Sequence, residues 1–390
     1  MDDSRLDELR GEVLDWRHKA VPAAAHGLTL ASWLDSEPGL GELDTPVVTL
    51  SAGALEHNLA AMADWCAERG LALAPHGKAT MAPQLWRRQL EAGAVGVTVA
   101  NLPQAAVARA FGVERVLVAN EITSPAGAAW LSAWAAEGAR AAVFADSVEA
   151  VAVLAGGGRD AAVEVVVELG AAGGRAGARS AEEAAAVAAA VRAAPNLRLA
   201  GVGGYEGAVD DVDGYLAALA ELFASLEFES DRPVVTAGGS AHFDRVAAVL
   251  GPLAGRAEVV LRSGSYVVHD HGFYARLTPA ARGGAGPSFL PALTARARVL
   301  SRPEPGLAIL DAGRRDVPFD QDLPLPLGVE GARCSQISDQ HLFVTGEVAA
   351  LGVGEVVELG LSHPCTAFDK WNLIPVVDGG RVVDAVRTFF

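Results

Sequence analysis

"RAAVFADSVEAVAVLAGGGRDAAVEVVVELG", residues 140–170, holds two aliphatic runs separated by an Ala-rich stretch long enough for a helix. Each run has the length and unbroken hydrophobicity of a parallel strand buried on both faces. Strand, helix and strand in this order make one βαβ unit. Outward from it, between residues 45 and 265, the pattern recurs as "TPVVTL", "LALAPHG", "AVGVTVA" and "RVLVAN" on one side and "LRLAGVGG", "PVVTAGG" and "AEVVLRSG" on the other. That makes nine runs, whereas eight parallel strands close a (β/α)8 TIM barrel. The surplus run is "TPVVTL", introduced by Asp44-Thr45-Pro46, which can belong to another sheet. Its following helix, near 54–69, would then close the barrel floor ahead of a first barrel strand at 71–76.

The alternation ends near residue 275. After a Gly-rich linker, "GGAGPS" (283–288), the runs "ALTARARVL", "GLAILDAG", "QHLFVTGEV", "GEVVELGL" and "LIPVVDGGRVVDAVRTFF" follow without helix-length gaps. Such spacing predicts a compact β domain. The expected organisation is α/β: a barrel over 45–282, and a β domain made of 1–44 plus 283–390.

Composition narrows the function. A formal charge of −17 over 390 residues argues against nucleic acid or another polyanion as partner. No run is apolar and long enough to span a membrane. The acidic start "MDDSRLDELRGEVL" has neither basic region nor apolar core, so no secretory signal is expected. Cysteines at 66, 334 and 365 alone form no disulfide framework, and a reducing, cytoplasmic setting is the expectation.

Lysine is nearly absent: among 31 basic residues only Lys19, Lys78 and Lys370 are lysines. Arginine stays protonated, whereas a lysine amine can lose its proton and bond a carbonyl. Lys78, in "PHGKATM", follows the first barrel strand, and chemistry in such barrels sits at the carboxyl ends of the strands. Arg175 in "GGRAGAR", Tyr205 and Glu206 in "GGYEG", Gly238, Gly239 and Ser240 in "TAGGSAH", and Arg262, Gly264, Ser265 and Tyr266 in "LRSGSY" fall at other strand ends. Gly-Gly-Ser at a helix start lets backbone N–H groups and the helix dipole meet an anion. The plainer alternatives are a solvated lysine, an N-capped turn, and structural ion pairs of Arg175 and Arg262 with Glu168 or Glu164. A lysine, two neighbouring Gly-Ser loops and two arginines around one mouth point to pyridoxal 5'-phosphate, which needs an amine partner and a phosphate anchor. A lysine bonding the substrate directly, as in a cofactor-free aldolase, is the other chemistry open to Lys78.

In order, "PHGKATM", "GGRAGAR", "GGYEG", "TAGGSAHFD", "LRSGSYVVHD" and "LSHPCTAFDKWN" resemble the fold-type III pyridoxal-phosphate enzymes of alanine racemase type. The resemblance is to the D-threonine aldolase and D-serine dehydratase (amino acid deaminase) branch. It implies that Lys78 bonds the cofactor, that Arg175 lies near its phenolic oxygen, and that Tyr205 lies beside the ring or phosphate. Gly239, Ser240, Gly264 and Ser265 would hold the phosphate, and Arg262 would face the pyridine nitrogen. Ala100, Gln104 and Glu206 depart from the familiar aldolase pattern.

His363 and Cys365 stand two residues apart, and in an extended segment both would face one ion. Imidazole with thiolate suits zinc; a half-buried cysteine beside a surface histidine is the alternative. The resemblance favours the metal pair, with zinc expected and manganese as the alternative metal, and places it in the β domain. His341, in "SDQHLFV", is a candidate for orienting a metal-bound water, or else an ordinary strand histidine. The implied activity is a metal-assisted lyase that removes water from 3-hydroxy D-amino acids to give a 2-oxo acid and ammonia. The alternatives are aldol cleavage to glycine and an aldehyde, or a pyridoxal-phosphate carrier without turnover. A homodimer is implied by the resemblance alone.

Overall fold

The computed structural model describes residues 1–158, 160–230 and 232–390. Nine strands come first in the chain: β1 (Val47–Ser51), β2 (Ala72–Leu73), β3 (Val97–Val99), β4 (Arg115–Glu121), β5 (Arg140–Ala145), β6 (Val163–Leu169), β7 (Leu197–Gly204), β8 (Val234–Ala237) and β9 (Glu258–Leu261). The last eight form one parallel sheet in the order β2-β9-β8-β7-β6-β5-β4-β3. A parallel bridge between His76 and Thr98 joins its two ends. Thr98 reinforces that seam, its N–H donating to Pro75 O at 2.9 Å and its Oγ1 to Ala74 O at 2.6 Å. The sheet is therefore a closed barrel.

Polar caps start the helices between these strands. Ser51, Asn101, Ser124, Ser147, Ser180 and Asp211 each accept from a backbone N–H in the first turn of the helix that follows. A side-chain oxygen there satisfies a donor that the helix itself leaves unpaired. Within the barrel, Leu117, Phe144, Val166 and Ala200 form one packed cluster, and Ala74, Val234 and Val260 another. Ion pairs Arg115–Glu258 and Arg140–Glu164 tie together the amino ends of β4, β9, β5 and β6 at the floor. Glu164 is thus engaged far from Arg175.

β1 is not a barrel strand. It lies between β10 (Leu293–Glu304), antiparallel with Val48 opposite Ala295, and a parallel neighbour, Leu373–Asp378. A barrel boundary at residue 45 therefore starts one strand early, and "TPVVTL" belongs to the second sheet. The helix Ala52–Ala67 also misses the expected position at the floor. Asn58 Nδ2 donates to Val267 O and Leu290 O at 3.1 and 2.8 Å, beyond the carboxyl end of β9, so this helix packs where the two sheets meet.

The remaining strands are β11 (Leu307–Leu310), β12 (Leu325–Pro326), β13 (Ala332–Ile337), β14 (Leu342–Gly346), β15 (Val356–Gly360), β16 (Leu373–Asp378) and β17 (Arg381–Arg387). Their sheet runs β13-β14-β11-β10-β1-β16-β17, with β15 on β10 and β12 on β15. β13 and β12 escape the sequence reading because neither is an apolar run; β13 is mostly exposed. The N-terminal residues join this sheet through Arg387–Glu12 and through Lys19, whose ammonium meets Asp316 at 3.1 Å and lies 4.4 Å over the Trp371 ring. Among the described residues no helix is long and apolar enough to cross a membrane.

Candidate active site

A cavity of about 250 Å³ opens at the carboxyl ends of the barrel strands. Lys78, Arg175, Tyr205, Gly239, Ser240, Arg262, Gly264, Ser265 and Cys365 all line it. The chain leaves the His76 bridge in a single tight turn, Gly77–Ala79, which projects Lys78 into this space. Glycine is required before the lysine, because a Cβ on Gly77 would stand 2.9 Å from the Trp86 ring. Burial first, and the Arg175 guanidinium second, lower the pKa of the Lys78 ammonium. Both favour the neutral amine that acts as nucleophile or base. His76 beside it is held well below its usual range by burial and by Lys78, so its ring is neutral.

The Gly-Ser loops meet as expected: Ser265 Oγ donates to Ser240 Oγ at 2.7 Å. Gly264 must be glycine, since a Cβ there would lie 2.4 Å from His76 O. The helix-start argument, however, does not hold. The helix after β8 begins only at Phe243, and Ser240 does not cap it. The N–H groups of Gly238 and Gly239 are also already taken by Glu206, whose Oε2 and Oε1 accept from them at 2.9 and 2.7 Å. In these loops the donors left for an anion are the one hydroxyl proton not spent between Ser240 and Ser265 and the backbone around Gly264.

Neither arginine forms an ion pair among the described residues. Arg262 is buried and donates to Thr236 Oγ1 at 2.7 Å and to Gly204 O at 2.6 Å. Burial lowers its pKa, against the pull of Glu206. Arg175 stacks its guanidinium 4.9 Å over the Tyr205 ring. The expected alternative of structural pairs with Glu164 or Glu168 is therefore not what forms.

Cys365 reaches the same cavity from the second domain of the same chain. The segment carrying it is not extended. His363 has a left-handed backbone, φ 67°, and Cys365 opens the short helix Cys365–Phe368. Asp270, fully buried beyond β9, holds this turn by accepting from the His363 N–H at 3.1 Å and the Gly272 N–H at 3.0 Å. His363 Nδ1 lies 2.5 Å from Asp320 Oδ2, and Thr366 Oγ1 donates to Asp320 Oδ1 at 2.5 Å. Burial pushes the Cys365 thiol up to about 11, moderated by Lys78; a bound cation would reverse that, since a coordinating thiol is deprotonated. Among the described residues no three His, Cys, Asp or Glu side chains converge on one point. Cys365 lines the cavity and His363 does not; a site with so few protein ligands would have the open positions of a catalytic ion rather than a structural one.

His341 is elsewhere. It is exposed at the start of β14, its carbonyl accepting from Ser338 N–H, and it does not line the cavity. Tyr266 is buried against Phe289 away from the mouth. Glu168, Asn120 and Tyr274 line the cavity without having been singled out. For Tyr274 the signal was its position just past the second Gly-Ser loop. Glu168 read as a structural counter-ion.

A family model of the alanine racemase N-terminal domain matches residues 50–250, and one described as a putative serine dehydratase domain matches residues 292–377. The chain is 31% identical over 373 residues to a D-threonine aldolase from an Arthrobacter species, covering 90% of this chain and 93% of that one. It is 29% identical over 346 residues to a 3-hydroxy-D-aspartate aldolase from Paracoccus denitrificans (strain Pd 1222), covering 84% and 87%. The crystal structure of D-threonine aldolase from Filomicrobium marinum superposes with a TM-score of 0.79 at 28% identity, over 90% of this chain and 97% of that one. The chain belongs to the alanine racemase-like, fold-type III pyridoxal-phosphate enzymes, in the D-threonine aldolase and D-serine dehydratase branch.

Proposed function

We propose that this protein is a pyridoxal-phosphate- and metal-dependent lyase that takes water from 3-hydroxy D-amino acids, yielding a 2-oxo acid and ammonia. The observation that carries it is the convergence, within one chain, of Lys78 and Cys365 on the same cavity. An amine for the α-proton and a soft metal ligand for the β-oxygen thus face one small substrate. Pyridoxal phosphate supplies the electron sink at the substrate α-carbon, and a divalent ion, zinc by the thiolate and imidazole donors, polarises the β-hydroxyl.

Lys78 Nζ, its pKa lowered by burial and Arg175, takes the α-proton as general base. Ser240, Ser265 and the Gly264 backbone would hold the phosphate, and Arg175 and Tyr205 would line the ring. His363 offers Nε2 to the metal because Nδ1 is bonded to Asp320. Arg262 cannot give up its proton or accept another, so a ring nitrogen facing it stays unprotonated. His341 has no part in this scheme. The assembly is proposed as a homodimer on the family resemblance, although Cys365 needs no second chain to reach Lys78.

Cleavage of the Cα–Cβ bond to glycine and an aldehyde is the second reading, favoured by the aldolase names of the two relatives. Incubation with D-serine, D-threonine and D-3-hydroxyaspartate, with and without chelator, separates the two. Ammonia and 2-oxo acid that vanish with chelator support elimination. Glycine and aldehyde alone assign cleavage. No product from any of them would sink both.

A further inference from the structure

Glu168 lines this cavity, with Glu121 beside it, and neither has a role in the scheme above. Glu121 ends β4 and Glu168 is the penultimate residue of β6. Their carboxyl groups lie within hydrogen-bonding reach of each other across the end of β5, where Glu121 is in register with Phe144. Glu168 is only 6% exposed and lines the cavity. Glu121 Oε1 and Glu168 Oε2 are buried and meet no hydrogen-bond donor. Two contacting carboxylates without a donor between them cannot both stay ionised.

The surroundings sharpen the point. Arg175, from the loop after β6, and Arg262, from the end of β9, face Glu168, and both tend to ionise it. Tyr215 faces it from the helix Val212–Ser225, its hydroxyl donating to Leu169 O at 2.6 Å. Glu206 is occupied by the Gly238 and Gly239 N–H groups. An ionised Glu168 would be a counter-ion for both guanidiniums, yet neither is in an ion pair among the described residues. Arg262 is bonded instead to Thr236 and Gly204 O.

We propose that Glu121 and Glu168 hold one proton between them while the site works, and that this leaves the charge of Arg175 and Arg262 free for an anionic ligand in the cavity. Burial, then Glu121, push the Glu168 carboxyl up to about 8. The proton is therefore present below about pH 8 and leaves above it. Once ionised, Glu168 competes with the ligand for both arginines. Glu168 acts through the arginines and is a positioning residue. The identity of the anion, a phosphorylated cofactor, rests on the proposed function; the shared proton does not.

The test begins with cofactor-free protein. Infrared difference spectra across pH 6–10 should show a protonated-carboxyl band that disappears around pH 8 and is missing in Glu168→Gln. Affinity is then measured for pyridoxine phosphate, which has ring and phosphate but no aldehyde to bond Lys78, and for sulfate, whose charge is constant over this range. Wild-type affinity should fall by about tenfold more than that of Glu168→Gln between pH 7 and pH 9.5. Should Glu168→Gln fail to fold, Glu121→Gln serves: losing the sharing partner moves the remaining titration towards the ordinary carboxylate range. A wild type without the band, or one whose pH dependence matches the variant's for both anions, overturns the proposal. Sulfate binding with the expected pH split but no pyridoxine phosphate binding upholds the shared proton and sinks the cofactor assignment alone.

Discussion

His363 Nδ1 and Asp320 Oδ2 are 2.5 Å apart, and this contact leaves Nε2 as the imidazole nitrogen available to the proposed metal. With Nδ1–H donated to the carboxylate, Nε2 carries the lone pair. Asp320 lies some forty residues upstream in a loop between strands, so only folding brings the two together.

Asp320→Asn should therefore weaken metal binding by about 10–100-fold while leaving pyridoxal-phosphate binding intact. Competition with a coloured chelator reads the first, and the visible absorption of the bound cofactor reads the second. Equal metal affinity in variant and wild type would show that Asp320 does not orient His363.

Lys78→Ala should abolish both activity and the borohydride-sensitive visible band. Lys78→Arg should do the same, because a guanidinium that stays protonated neither bonds the aldehyde nor takes the α-proton. A surviving band in either variant would place the covalent bond on another amine.

Glu206→Ala should destabilise the fold by about 1–3 kcal/mol, the scale for leaving buried donors without an acceptor, here the Gly238 and Gly239 N–H groups. Thermal melts measure it. Added phosphate should restore part of the lost Tm by binding the freed N–H groups, and no recovery at high phosphate would show that they do not face the anion site.

Arg115→Ala should cost stability that depends on pH. Glu258 is half-buried, and although burial alone would raise its pKa, the hydrogen bond and charge of Arg115 bring it below the usual value of 4.5. A carboxylate whose folded pKa is depressed stabilises the fold above its unfolded pKa and ceases to do so as pH falls through the folded value. The gap in Tm between wild type and variant should thus be full at pH 7 and close as the pH falls through the depressed folded-state pKa of Glu258. A gap that stays constant down to pH 3 would mean that the arginine acts through packing of its alkyl stem.

Most of the barrel was legible because each buried parallel strand is a continuous aliphatic run, a signal carried by neighbouring residues. Lys78 was legible by scarcity, and the Gly-Ser loops by composition. What misled was local context. A boundary at residue 45 puts "TPVVTL" with the barrel, although as the surplus run it can belong, and by its pairing with Leu293–Glu304 does belong, to the second sheet. The spacing of His363 and Cys365 implied an extended segment, but the buried Asp270 carboxylate holds the turn bent. His341 carried the right chemistry and lies on the wrong surface.

By itself the sequence determined the succession of barrel elements, the position of Lys78 at a strand end and the late His-x-Cys pair, since periodicity and residue chemistry are properties of the chain. Tertiary structure alone decided that Cys365 shares a cavity with Lys78, that Glu206 occupies the glycine N–H groups, and that Glu168 meets Glu121 rather than an arginine. Those contacts join residues far apart in the chain, and their energies depend on burial and on which partner arrives first within hydrogen-bonding reach, neither of which is written in any short stretch of residues.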